Sequence, residues 1–155
     1  MVDVVDAATR SRMMSGIRSR HTKPERIIRS GLHRLGFRFA LHSRKLSGTP
    51  DLVLPRYRAA IFVHGCFWHR HNCEFFKMPS TRTGFWKAKF ARNRSNDIAA
   101  RKELANEGWR VLVVWECALR DRSESEVTAI LLRAASWIKG HRKSLELSGP
   151  RRKAV

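Results

Sequence analysis

The densest chemistry in the chain is the run His64-Gly65-Cys66-Phe67-Trp68-His69-Arg70-His71-Asn72-Cys73, which holds three histidines, two cysteines and two large aromatics. A buried imidazole or thiol is satisfied by one partner, so a cluster this dense points to a metal, a catalytic base, or both. Cys66, His71 and Cys73 bring two thiolates and an imidazole into one loop, and Cys117 can supply a fourth corner. That Cys3His set suits a closed, tetrahedral structural zinc site with no open position. Three unrelated buried cysteines are the plain alternative. The close ligand spacing and the use of every cysteine in the chain favour zinc.

Asp51, after Gly48-Thr49-Pro50, sits at the edge of a predicted strand beside Phe62-Val63-His64 at the tip of the next. Metal-dependent nucleases place a carboxylate there to hold a hard cation against the scissile phosphate. A simple bend would use the same letters. His69 and His64 are left over from the zinc set. Either suits a general base toward water or a hydrogen-bonded spacer, and the residues alone leave both open. Phe67 and Trp68 are adjacent and cannot both face one core from an extended loop, so at least one is expected to be exposed. With Trp86 they would offer a stacking surface.

The elements that position these groups follow from pattern. Thr22 suits a helix N-cap, Pro24 the first turn and Glu25 the third position of a capping box, and Ile27, Ile28, Leu32 and Leu35 form a helical stripe ended by Gly36. Phe37, Phe39 and Leu41 alternate as a strand, and 51–54 is a second. A third, 59–64, is apolar until its last residue, as in a strand buried on both faces. Residues 65–84 have no period and make a long functional loop. A helix is predicted over 85–107, with Trp86, Phe90, Asn93, Asp97, Ala100 and Leu104 on one line. An apolar strand over 109–115 and a last helix from Ser123 to Gly140 complete the order. This predicts an α/β domain over 22–140, a mixed central sheet flanked by helices, with a basic arm (1–21) that is either a solvated tail or a segment that orders on a polyanion such as DNA, and a basic, disordered tail (141–155).

Composition narrows the partner. The 155 residues carry 32 Lys and Arg against 13 Asp and Glu, a formal charge of +19. The excess is spread along the chain, no run approaches a membrane span, and no long helix has an all-basic face, so nucleic acid is favoured over a membrane surface. The N-terminus lacks the layout of a secretory signal, and a cytoplasmic location is expected.

Together, Arg10-Ser11 with Met14 and Ile17, Gly48-Thr49-Pro50-Asp51, Phe62 to His69, Thr81-Arg82-Thr83, Phe85-Trp86 and Trp109 to Arg120 resemble the very-short-patch-repair (Vsr) DNA mismatch endonucleases. The resemblance covers roughly residues 7–138. It implies a restriction-endonuclease-like fold and a nick on the 5′ side of the thymine in a T:G mismatch, the product of 5-methylcytosine deamination. It makes Asp51 the Mg²⁺-binding carboxylate, with the backbone carbonyl of Val63 as a second ligand, and His69 the residue that activates water. Glu25, His64 and Asp97 complete the active site, and Cys66, His71, Cys73 and Cys117 hold a structural Zn²⁺. Phe67, Trp68 and Trp86 become wedges beside the mispair, and Lys89, Asn93, Met14 and Ile17 lie near it. Arg18, in the arm, is expected to contact phosphate.

The superfamily's usual acid and lysine on the strand after the aspartate are missing from Phe62-Val63-His64, so a mechanism with lysine orienting water is not implied. The expected enzyme acts as a monomer, with downstream repair proteins as possible partners. A non-catalytic zinc-stabilised DNA-binding module and a sequence-specific restriction-type endonuclease are the rivals. The first leaves Asp51, His69 and Asp97 unexplained, and the second usually needs a dimer.

Overall fold

The computed structural model describes residues 21–149. Helix α1 (Lys23–Arg34) begins where the cap chemistry places it: the Thr22 hydroxyl accepts from the Glu25 amide at 3.4 Å. The reciprocal half of the expected capping box does not form, because the Glu25 carboxylate turns to other donors described below. Strands β1 (Ala40–Leu41), β2 (Leu52–Leu54) and β3 (Ala59–His64) follow, then α2 (Thr83–Asn106), β4 (Arg110–Trp115), α3 (Glu124–Lys139) and β5 (Ser144–Leu147). Short 3₁₀ turns at Pro55–Tyr57 and Glu116–Ala118 close the β2–β3 hairpin and the end of β4.

The five strands form one mixed sheet in the order β1-β2-β3-β4-β5. The hairpin partners are antiparallel, with Leu52 opposite Ile61, whereas β3, β4 and β5 run parallel. The parallel half requires crossovers, and α2 and α3 supply them. Alternation along the strands divides the core. Leu52, Leu54, Ile61, Leu112 and Val114 face Ile28 and Leu32 of α1 and Leu131, Ala134, Trp137 and Ile138 of α3. Ala60, Phe62, Val111, Val113 and Trp115 face Leu104 of α2 and the three cysteines. The uninterrupted apolar strands are thus buried on both faces, each fully buried Leu or Ile contributing about 1.5 to 3 kcal/mol. Helices α1 and α3 cross closely enough that a Cβ at Gly31 would strike Leu131.

Three expectations are corrected. The strand predicted from Phe37 shrinks to Ala40–Leu41, because the Phe37 amide bonds back to Leu32 O at 3.0 Å and its ring is buried in the core. Helix α2 starts two residues early, at Thr83, after a left-handed Arg82. The basic tail is not wholly unstructured: Ser144–Leu147 pairs with the outer edge of β4 and buries Leu147 completely. Its Ser-Leu-Glu-Leu alternation is a short edge-strand pattern hidden among basic residues.

Candidate active site and metal cluster

Asp51 sits where the turn from Gly48 enters β2, and its Oδ2 accepts from the Val63 amide of β3 at 2.7 Å. The turn is tightly built: Gly48 has φ +76°, and a Cβ there would lie 2.7 Å from Ala100 of α2. The bond from Val63 fixes the carboxylate at the mouth of a cleft of about 870 Å³ that also holds His64, Trp68, His69 and Asp97. Burial raises the Asp51 carboxyl to about 7, with the charge of nearby Glu25 adding to the effect and the Val63 amide opposing it.

His64 ends β3, His69 lies five residues further in the loop, and Asp97 projects from the middle of α2. The Nδ1 of His69 is 2.5 Å from Asp97 Oδ2. The His64 ring stacks on His69 with centroids 3.9 Å apart, and its Nε2 is 3.9 Å from Asp97 Oδ1. Burial, with His69 reinforcing it, lowers the His64 pKa to about 3 despite the opposing pull of Asp97, so this imidazole stays neutral near pH 7. With its Nδ1–H donated to Asp97, His69 presents Nε2 as an acceptor.

Glu25 is 1% exposed, yet it carries charge. Its carboxylate accepts from His42 Nε2 at 2.8 Å, from Arg29 at 3.2 Å and from the His21 amide at 3.2 Å. Burial alone would raise its pKa, but the bonds from His42 and the His21 amide, with a side-chain hydrogen bond to Asp51, hold it below the usual carboxylate range. The helix cap therefore delivers a carboxylate to the back of Asp51.

On the α2 face, Cys66, His71, Cys73 and Cys117 bring their ligand atoms within 4.8 Å of one another. His71 Nδ1 is 3.6 Å from Cys66 Sγ and 3.5 Å from Cys117 Sγ. Tetrahedral bonds of about 2.3 Å to sulfur and 2.1 Å to nitrogen put neighbouring ligands about 3.6 Å apart, so the set fits a tetrahedral ion. The hydrogen bond with Cys117, then burial, pushes the Cys66 thiol up, while the same bond draws Cys117 down. Amides of Cys117 and Gly149 donate to Cys66 Sγ and Cys117 Sγ at 3.3 Å each, and the His71 ring stacks on Trp115 at 4.1 Å. Such contacts orient ligands before an ion arrives.

Phe67, Trp68 and Trp86 meet in one aromatic patch with Phe76 and Phe90. The expectation that Phe67 or Trp68 stands exposed is corrected: the loop curls, and both rings are half-buried. Asn93 Nδ2 donates to Trp68 O at 2.9 Å, and Lys89 Nζ lies 5.9 Å from the Trp68 ring centroid.

Comparison with known proteins decides the family. The family model described as DNA mismatch endonuclease Vsr matches residues 2–75. The chain is 44% identical over 147 residues to DNA mismatch endonuclease Vsr of Escherichia coli strain K12, spanning 95% of this chain and 94% of that protein. It is 46% identical over 121 residues to Type II nicking enzyme V.XorIIP of Xanthomonas oryzae pv. oryzae, spanning 78% and 89%. A third relative, Type II nicking enzyme V.NmeAIP of Neisseria meningitidis, is 39% identical over 123 residues, spanning 79% and 88%. The chain belongs to the Vsr family.

Of the residues that the Vsr resemblance singled out, the structure brings Asp51, Val63, His64, His69, Asp97, Trp68, Lys89 and Asn93 to one cleft, with Glu25 behind it and the Cys3His set beside it. Trp86 borders the cleft through its contacts with Phe67 and Trp68. Met14, Ile17 and Arg18 lie outside the described residues. Sequence reading missed His21, Arg29 and His42 around Glu25, and Glu116, whose Oε1 accepts from the Cys66 amide at 3.2 Å. His21 and His42 flank or interrupt turn-rich segments with no periodicity to mark an inward side chain. Arg29 carried a weak signal, standing four residues after Glu25 on α1.

Proposed function

We propose that this Vsr family member is a Mg²⁺-dependent endonuclease that nicks DNA 5′ to the thymine of a T:G mismatch. The observation that carries the reading is the meeting, in one cleft, of Asp51 fixed by the Val63 amide and His69 oriented by Asp97. We read the mixed sheet as restriction-endonuclease-like. Asp51 and the Val63 carbonyl would hold Mg²⁺, which when bound supplies Lewis-acid stabilisation of charge on the phosphate and on the departing 3′ oxygen. Asp51 is suited to the task, since burial beside Glu25 disfavours its charged form and an adjacent cation would restore it.

His69 Nε2 takes a proton from water as the water oxygen attacks phosphorus and the bond from phosphorus to the 3′ oxygen breaks. Asp97 holds the imidazole in the tautomer this requires and stabilises the imidazolium that forms. His64, neutral and stacked on His69, restricts the ring to one orientation. Cys66, His71, Cys73 and Cys117 would hold a structural Zn²⁺, which ties the loop carrying Phe67, Trp68 and His69 to the end of β4.

Phe67, Trp68 and Trp86 would enter the base stack beside the mispair. Unstacking costs a few kcal/mol and less at a mismatch, so insertion discriminates in favour of T:G. Lys89, Asn93 and the arm with Met14, Ile17 and Arg18 would complete the DNA contacts. Several relatives are named as nicking enzymes, which fits a monomer cutting one strand. Among the described residues no helix is long and apolar enough to cross a membrane. A cytoplasmic location, with nicked DNA handed to repair proteins, is part of the same proposal.

The test is incubation of T:G, C:G and A:T versions of one duplex with Mg²⁺, scored for single-strand nicks. A nick only in the T:G duplex, lost in Asp51→Ala with mismatch binding retained, is expected. Equal cutting of all three, or near-normal single-turnover cleavage by Asp51→Ala, overturns the reading.

A further inference from the structure

His42 joins Glu25 to the main chain of Asp51 behind the cleft. Its Nε2 is 2.8 Å from Glu25 Oε1, and its backbone amide donates to the Asp51 carbonyl at 3.1 Å. Its backbone is left-handed, with φ 47°, and so is that of His21, with φ 59°, whose amide also donates to Glu25. Residues other than glycine keep this conformation where the surroundings impose it, and such positions gather at functional sites. The Glu25 carboxylate they serve is buried, and its charge acts on Asp51.

His21, Glu25 and His42 have ligand atoms within 4.8 Å of one another and invite a second metal. Arg29 argues against it. Its guanidinium lies 2.8 Å from His21 Nδ1 and 3.2 Å from Glu25 Oε2, so a permanent cation already stands beside the ligand atoms. The cluster is built to hold Glu25 in place.

We propose that His42 is a positioning residue for the catalytic cation: its Nε2–H fixes the Glu25 carboxylate against Asp51, so that Glu25 and Asp51 act on the cation as a pair. This rests on the reading that Asp51 holds that cation. Charge-assisted hydrogen bonds are short and stronger than neutral ones, and a buried carboxylate deprived of its donor reorients toward others. Arg29 and the His21 amide would remain, so the loss is one of alignment and not of burial.

The test compares His42→Asn, which tolerates a left-handed backbone but is too short to reach Glu25, with His42→Gln, which carries an N–H donor of closer reach. Mn²⁺ affinity is read by electron paramagnetic resonance, beside the Mg²⁺ dependence of single-turnover nicking and DNA affinity in EDTA. His42→Asn is expected to weaken Mn²⁺ binding about tenfold, as loss of one charge-assisted hydrogen bond implies, and to raise the Mg²⁺ requirement equally. DNA affinity in EDTA should not change, and His42→Gln should recover most of the loss. In a Glu25→Gln background His42→Asn should add nothing.

Unchanged Mn²⁺ affinity in His42→Asn, or a full further loss in the Glu25→Gln background, overturns the proposal. Should His42→Asn not fold, Glu25→Gln alone carries the test, and wild-type Mn²⁺ affinity in that variant overturns it. Asp51→Asn separates the premise: if it binds Mn²⁺ as wild type does, the reading of Asp51 fails, whereas loss there with no effect of His42→Asn sinks only the role of His42.

Discussion

His69 Nδ1 and Asp97 Oδ2 lie 2.5 Å apart although they come from a loop and a helix separated by 28 residues. Because the carboxylate accepts on one side of the ring, the opposite nitrogen is left free for the base role proposed above. His69→Ala should therefore reduce single-turnover nicking by about 10²- to 10⁴-fold, the usual weight of a positioned general base. Asp97→Asn should fall in the same range with mismatch affinity kept, because an amide that donates to Nδ1 favours the wrong tautomer. A near-normal cleavage rate in either variant refutes that residue's role.

The Cys3His set predicts a loss of structure and metal together. Cys73 is 1% exposed and packs in one cluster with Cys66 and Cys117. Cys73→Ser should lower zinc content and melting temperature in parallel, since the binding free energy of a structural metal is folding free energy. Elemental analysis that finds no zinc in folded, active wild-type protein ends the assignment.

Both the legible and the hidden parts of this molecule have physical reasons. The runs 59–63 and 111–115 announce strands buried on two faces because every residue is apolar, and the alternation that divides them between α1 with α3 and α2 is ordinary strand geometry. The cysteine and histidine spacing within one loop likewise points to a shared centre. Glu25 was read as a capping residue from its place three after Thr22; the amide half of that cap forms, but the carboxylate's partners are His42, Arg29 and His21. His21 and Arg29 each lie four residues from Glu25, but His42 lies beyond any local pattern. The edge strand β5 was hidden because a four-residue strand has little apolar signal of its own and is specified by the free edge of β4.

His64 predicts a pH effect of definite sign. Its folded pKa is lowered to about 3 by burial, against 6.5 unperturbed, so on acidification the unfolded chain takes up a proton first. The stability this neutral imidazole preserves is present above pH 6.5 and is lost as pH falls from there toward 3. His64→Gln, which cannot be protonated there, should show a shallower decline in melting temperature over that window than wild type. Parallel curves for the two proteins contradict the assignment.

The last prediction concerns Trp68, whose carbonyl is held by Asn93 at 2.9 Å and whose ring lies in a half-buried patch with Phe67 and Trp86. Half-burial leaves two roles in competition, a wedge into the base stack and a support for the loop. As a wedge, Trp68→Ala should weaken binding to a T:G duplex far more than to a paired one, by about 5- to 150-fold, because stacking contributes about 1 to 3 kcal/mol per base. Replacing Arg18 of the arm should instead weaken both duplexes alike and flatten the salt dependence, as for a phosphate contact. As a support, Trp68→Ala should lower the melting temperature by several degrees and reduce both affinities in step with unfolding. Affinity for both duplexes measured beside thermal stability decides between them, and equal losses with a lowered melting point would end the wedge reading.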